Sequence, residues 1–251
     1  VKLPLVIDLF AGLGGWSEAF IAQGYRAIGF DIEAHDYGDG KKYPGELVLR
    51  DVRSITGANL VKEYGVPAVI VASPPCQEFS YMAMPWSKAK EKQRKIEADP
   101  AEQARLTDLF NQCFRIQREV SAAAGYYVPM VVENVRGAQK WVGKARWNFG
   151  SFYLWGDVPA LMPIPAKRKL KTTGPIGSAY TKHLTCQAES DGVKSGTAYR
   201  GDCSGWGVAE HTGSKSSARK RASAEIAKIP PALASWIARV LKPEHSDSVS
   251  A

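Results

Sequence analysis

Cys76 follows two prolines in the stretch Ala72-Ser73-Pro74-Pro75-Cys76-Gln77-Glu78-Phe79-Ser80, directly after the apolar run Ala68-Val69-Ile70-Val71. Tandem prolines fix φ and remove backbone donors, so the turn is stiff and the thiol is aimed. A thiol presented this way suits nucleophilic chemistry. The alternative is a small buried hydrophobe in a tight turn, because single-cysteine signatures are specific to their families. Other polar groups recur at the ends of apolar runs. Strand one ends in Asp8-Leu9-Phe10-Ala11-Gly12-Leu13-Gly14-Gly15, and later runs end in Asp31-Ile32-Glu33, Asp51-Val52 and Glu133-Asn134-Val135. Core packing alone gives no reason for that repetition.

The elements that must position these groups are five short apolar runs, Leu3–Ile7, Arg26–Phe30, Glu46–Leu49, Ala68–Ala72 and Val128–Val132, which read as buried parallel strands. Helical patterns lie between them at Trp16–Gln23, Leu60–Tyr64 and about Ala101–Ala124. Strands alternating with helices predict an α/β fold with a Rossmann-like open sheet, whose ligands bind outside the carboxyl ends of the strands. A further run, Ser151–Trp155, predicts an antiparallel strand or hairpin. After Gly156 the chain turns rich in Pro, Gly, Ser, Thr and Lys, and order returns at Ser223–Leu241, with the last helix beginning at Pro230-Pro231. The expected organisation is therefore a catalytic domain at 1–156, a small basic lobe at 157–222, a helix packing back at 223–243 and a frayed tail at 244–251.

The first loop needs glycines so that the backbone can turn sharply beside a ligand. It has neither the GxGxxG spacing of the dinucleotide fingerprint nor the Lys-Ser/Thr of a phosphate-binding loop. Asp31, about twenty residues on, suits a ribose diol. An adenosine cofactor without a pyrophosphate fits both facts, which favours S-adenosylmethionine over NAD.

Composition narrows the class. The 251 residues are 45% hydrophobic and 10% aromatic, as in an ordinary globular chain. No apolar run approaches the roughly 20 residues that span a bilayer, and no secretory signal is visible. Cys76, Cys113, Cys186 and Cys203 show neither CxxC pairing nor dense spacing, which disfavours zinc and a disulfide framework. A reduced, cytoplasmic protein is expected. The net charge is +8, and between Ile164 and Arg221 eleven basic residues face four acidic ones, a net of +7. Such an excess in one lobe suits a polyanion such as nucleic acid, against the alternative of a merely solvated surface.

Taken together, these motifs resemble the DNA cytosine-C5 methyltransferase family, including its tRNA-methylating branch, over residues 1–156 and 223–241. The resemblance implies cofactor contacts at Asp8, Phe10, Gly12, Gly14, Asp31, Ile32, Asp51, Val52 and Pro75, with S-adenosylhomocysteine as product. It implies that Cys76 adds to carbon 6 of a flipped cytosine, that Glu133 and Asn134 belong to the motif gripping the base, and that Gln77 and Ser80 open a loop closing over it. Within Tyr81–Arg105, Lys88, Lys90, Lys92, Arg94, Lys95 and Arg105 either grip flanking phosphates or belong to a solvated helix of alternating charge. Lys167, Arg168, Lys169, Lys171, Arg219 and Arg221 are the candidate nucleic-acid contacts of the basic lobe.

The chain departs from that family in two places. The Gln-x-Arg-x-Arg motif is missing at Trp147-Asn148-Phe149-Gly150-Ser151, and Arg146 is the candidate substitute, with a plain surface arginine as the alternative. The final helix keeps Ile229-Pro230-Pro231 but lacks the Gly-Asn before it. The short lobe, roughly 60 residues, predicts a short or loosely defined target, because each base pair read needs placed side chains. The expected activity is methylation of double-stranded DNA by a monomer of bacterial or phage type, without an obligatory protein partner. An RNA cytosine-C5 methyltransferase, an inactive nucleic-acid-binding homologue and, more remotely, an NAD-dependent oxidoreductase are the alternatives.

Overall fold

A computed structural model describes residues 2–35, 42–79, 86–164, 224 and 227–243. Five parallel strands form its centre: β1 (Leu5–Leu9), β2 (Arg26–Asp31), β3 (Glu46–Leu49), β4 (Val69–Ala72) and β5 (Met130–Asn134). Two further strands, β6 (Trp147–Phe149) and β7 (Phe152–Gly156), form a hairpin whose second arm runs antiparallel to β5. The sheet order is β3-β2-β1-β4-β5-β7-β6. Strand order therefore reverses between β1 and β4, and the crevice at that switch point is where an open α/β sheet takes its ligand.

Alternate residues of each strand feed opposite faces, as strand geometry requires. Ile7, Leu9, Ile28, Phe30, Ile70, Met130 and Val132 pack against α2 (Gly57–Tyr64) and α4 (Pro100–Ala124). Val6, Ala27, Val69, Val71 and Val131 face α1 (Gly15–Ala22) and the last helix, Pro231–Val240. Tyr25 fastens that helix to the sheet by donating to the Ala238 carbonyl at 3.0 Å. Burial on both faces explains the near-continuous apolar runs of β1, β2, β4 and β5, whereas β3, expected to be buried, lies at the sheet edge with every position exposed or half-buried.

The strand boundaries differ from the sequence reading in one instructive way. β1 and β5 start two residues later than their apolar runs and extend two residues further, through Leu9 and Asn134. Asp8, Glu133 and Asn134 are thus polar members of buried strands, with the ladder continuing through them. The segment after the Cys76 turn also differs from a simple loop. Trp86–Ala98 is a helix, α3, and Asp99 caps α4 behind it by accepting from Ala101 N at 2.9 Å. Its charges are interleaved and partly paired, Lys95 with Glu91 and Glu97 with Lys140. The basic lobe lies outside the described residues, apart from its first eight positions.

Candidate functional site

The loop after β1 is held in a conformation that few residues tolerate. Phe10 has φ 61, Gly12 φ 51 and Gly14 φ 76. A left-handed phenylalanine costs about 1–3 kcal/mol and persists only where its surroundings over-determine it. Those surroundings are visible: Ala11 N donates to Phe30 O at 3.0 Å, Gly14 N to Ala11 O at 2.8 Å and Gly12 N to Asp31 Oδ2 at 2.9 Å. Among the described residues, an added Cβ at Gly12 would meet nothing closer than 3.9 Å, so none of them closes this side of the loop.

Asp8 lies behind the loop, 1% exposed. Ser17 Oγ lies 2.8 Å and Tyr43 OH 3.1 Å from its Oδ2, and the two hydroxyls are also within hydrogen-bonding reach of each other, so their two protons are shared among the three contacts. Its Oδ1 is buried without a partner among the described residues. Burial pushes the Asp8 carboxyl up to about 7, against the two hydroxyl bonds that favour its charge and with the Asp31 carboxylate adding to the rise. The sequence carries no signal for Ser17 or Tyr43 as partners of Asp8. Nothing in their local pattern separates them from ordinary helix and loop residues.

Asp31 ends β2. Its Oδ1 accepts from Ile32 N at 2.8 Å, and its Oδ2 lies 3.4 Å from His35 Nε2. The other His35 nitrogen is 3.6 Å from Glu33. Burial works against the Asp31 charge, but the His35 bond and the Gly12 and Ile32 amides outweigh it and lower its pKa. The bond to Asp31 correspondingly raises His35 against the opposing effect of its burial. Ile32 is 74% exposed, an apolar side chain beside the loop. Asp51, just past β3, caps a short 3-10 turn at Val52–Ser54 by accepting from Arg53 N at 2.8 Å, and Val52 is buried beneath it.

The Cys76 turn follows β4 at the switch point, beside the loop after β1. Ser73 N donates to Leu9 O at 3.1 Å, and Trp16 Nε1 donates to Ser73 Oγ at 3.0 Å. From the other side, the buried Asn134 amide donates to Pro74 O at 2.9 Å, while its own oxygen accepts from Val135 N at 2.8 Å. Asn134 therefore splices the end of β5 to the proline turn. Glu133 precedes it, 4% exposed. Gly137 lies so close to the Phe79 carbonyl that a Cβ would overlap it, which packs the chain after β5 onto the loop after Cys76. Arg105 forks onto both oxygens of Glu78 at 3.0 and 2.9 Å. This arginine thus anchors the Cys76 loop from α4.

The two described cysteines differ in kind. Cys113 is fully buried in α4, its thiol donating to Leu109 O at 3.4 Å, and burial pushes its pKa far up. That is the chemistry of an inert structural cysteine. Cys76 is only half-buried on a turn braced from β1, α1 and β5. Pro75 and Gln77 beside it are exposed. Arg146 is exposed and precedes β6, its backbone N–H donating to Leu154 O at 2.8 Å. β7 separates β6 from β5. Ser80, Lys167, Arg168, Lys169, Lys171, Arg219 and Arg221 lie outside the described residues, as do Cys186 and Cys203. Among the described residues there is no group of three potential metal ligands and no helix long and apolar enough to cross a membrane.

With the geometry in view, residues 5–143 match the family model of the C-5 cytosine-specific DNA methylase. No curated protein matches the sequence. Similar solved structures include a protein described as a DNA modification methyltransferase encoded within an E. coli prophage, at 22% identity and a TM-score of 0.37 over 56% of this chain. A methyltransferase of Entamoeba histolytica is similar at 20% identity and 0.37 over 57%, and the Dnmt2 methyltransferase of S. pombe at 16% and 0.35 over 57%. The alignments span 35%, 41% and 37% of those chains.

Proposed function

The chain belongs to the C-5 cytosine-specific DNA methylase family, and from that premise we propose that it transfers a methyl group from S-adenosylmethionine to carbon 5 of a cytosine in double-stranded DNA. The observation that supports this most is the splice between Asn134 and Pro74. It joins the Cys76 turn to the Glu133–Asn134 strand end, so a thiol and a buried carboxyl side chain stand at neighbouring strand ends. A catalytically silent binder has no need of both groups.

The residues at the switch point fit the cofactor. The open side of Gly12, the exposed Ile32 side chain and the Asp31 carboxylate offer a backbone approach, an apolar platform for adenine and acceptors for a ribose diol. Asp8, Phe10, Gly14, Asp51, Val52 and Pro75 complete the proposed cofactor site. When bound, S-adenosylmethionine supplies an electrophilic methyl group.

Carbon 5 of cytosine is too weak a nucleophile to take that group unaided. The Cys76 thiolate adds to carbon 6, forming a C–S bond and moving the ring π electrons onto carbon 5, which is covalent catalysis. Glu133 holds the N3–N4 edge and favours protonation there as charge builds in the ring. After carbon 5 is methylated, a base takes its proton and the ring electrons expel the thiolate, restoring the aromatic base. The thiol cannot reach carbon 6 within a stacked duplex, so the base must be flipped into the site. Gln77 and Ser80 open the loop proposed to close over the flipped base, Arg146 is the proposed substitute for the arginine that helps grip it, and the basic lobe is proposed to contact the DNA.

The test is transfer of a labelled methyl group from S-adenosylmethionine to duplex DNA and, in parallel, to total tRNA, with Cys76→Ala as control. Cys76-dependent 5-methylcytosine in DNA is expected. Label in tRNA alone would move the substrate to RNA, and no label in either would overturn the enzymatic reading.

A further inference from the structure

Trp16 and Ser73 join the two halves of the site. Trp16 is the second residue of α1 and 2% exposed, and its indole N–H donates to Ser73 Oγ at 3.0 Å. Gly14 stands two residues before Trp16, and Pro75 two residues after Ser73. This side-chain hydrogen bond therefore bridges the start of α1, just past the loop after β1, and the turn that carries Cys76. The indole has little freedom, because its ring packs edge-on against the fully buried Phe20 with centroids 6.5 Å apart. The backbone bond from Ser73 to β1 and the Asn134 bond from β5 tie the turn to strands at the sheet centre. The bond from Trp16 originates in α1, the helix that the Phe10–Gly14 loop feeds directly. Phenylalanine could fill most of the same apolar space, so packing alone does not call for an indole donor aimed at a serine.

We propose that the Trp16–Ser73 hydrogen bond transmits cofactor occupancy at the Phe10–Gly14 loop to the presentation of the Cys76 thiol, which makes both side chains positioning residues. The inference rests on the reading of Cys76 as nucleophile and of that loop as the cofactor site. A shift of the loop on binding displaces the start of α1, and the indole carries the displacement to Ser73. A hydrogen bond made in one state and weakened in the other corresponds to about fivefold coupling between the sites.

The experiment is alkylation of Cys76 by iodoacetamide on the full chain, read by peptide mass spectrometry, with and without saturating S-adenosylhomocysteine. It is run on wild type, Trp16→Phe, Ser73→Ala and the double variant, with affinity for S-adenosylhomocysteine measured calorimetrically. The expected result is an approximately fivefold change of rate on binding in wild type, falling below about twofold in each variant, with affinity held within about threefold. The double variant behaves like either single one. Ser73→Ala removes only one hydroxyl from a half-buried position, so it carries the test if Trp16→Phe does not fold. A full response retained in the variants, an unchanged rate in liganded wild type, or loss of affinity in folded variants would each overturn the strut while leaving the catalytic reading intact. Failure of wild type to bind S-adenosylhomocysteine would overturn the cofactor reading and the strut with it.

Discussion

Replacing Asp8 with Asn removes a titration that the fold displaces far from its ordinary place. Burial moves this carboxyl from 3.8 up to about 7, although Ser17 and Tyr43 both favour its charge. Between those values the folded protein holds a proton that the unfolded chain has released. Its contribution is therefore fully present below about pH 4 and is lost as pH rises through about 7. At about 1.4 kcal/mol per pH unit across that window, the loss approaches roughly 4 kcal/mol at pH 8. The other ionisable groups are common to wild type and Asp8→Asn, so to first order they cancel in the difference. Urea unfolding of both proteins from pH 5 to pH 8, without cofactor, reads that difference directly. The stability of Asp8→Asn relative to wild type should rise by about 2.5 kcal/mol over this range, nearly all of it below pH 7. Any pH-independent cost of seating the amide shifts the whole curve and leaves its slope unchanged. A flat difference would refute the argument, because it would mean that Asp8 ionises at an ordinary value despite its burial.

Asn134→Ala leaves the Pro74 carbonyl without its buried donor, a loss of about 1–3 kcal/mol. It should slow methyl transfer much more than it weakens S-adenosylmethionine binding, and calorimetry beside single-turnover rates separates the two. Gly137→Ala forces a methyl group onto the Phe79 carbonyl and should cost about 1–3 kcal/mol in urea unfolding; wild-type stability in this variant would mean that the two segments move apart freely. Affinity for DNA should fall steeply with salt, with a slope of about −0.9 per phosphate contacted. Titration of a fluorescent duplex between about 50 and 200 mM salt checks this, and a flat response would remove the basic segment from DNA binding.

The parts of the site that could be read from the sequence are those whose chemistry is local. The Pro-Pro-Cys turn, the glycine-rich loop and the acidic strand ends each combine a residue type with an adjacent apolar run, and the sheet order places them along one edge. The parts that could not be read depend on partners distant in the chain. Ser17 and Tyr43 meet Asp8 across 9 and 35 positions, and Arg105 reaches Glu78 across 27. Their side chains are polar and ordinary, so only folding reveals which partner each finds. His35 lies four residues from Asp31, within local reach, yet a lone histidine after a strand carries no signal. Arg105 is the clearest lesson: its charge left a phosphate contact and a helix of alternating charge equally open, and in the fold its guanidinium pairs with Glu78 and Glu102.

The central claim is that Cys76 is the nucleophile, and covalent trapping tests it most directly. A random-sequence duplex containing 5-fluorocytosine, incubated with the protein and S-adenosylmethionine, cannot release the adduct because fluorine replaces the departing proton at carbon 5. The account predicts a denaturation-resistant protein–DNA complex whose cross-linked peptide maps to Cys76 and which Cys76→Ala does not form. A cross-link at another residue, or its persistence in Cys76→Ala, would contradict the account.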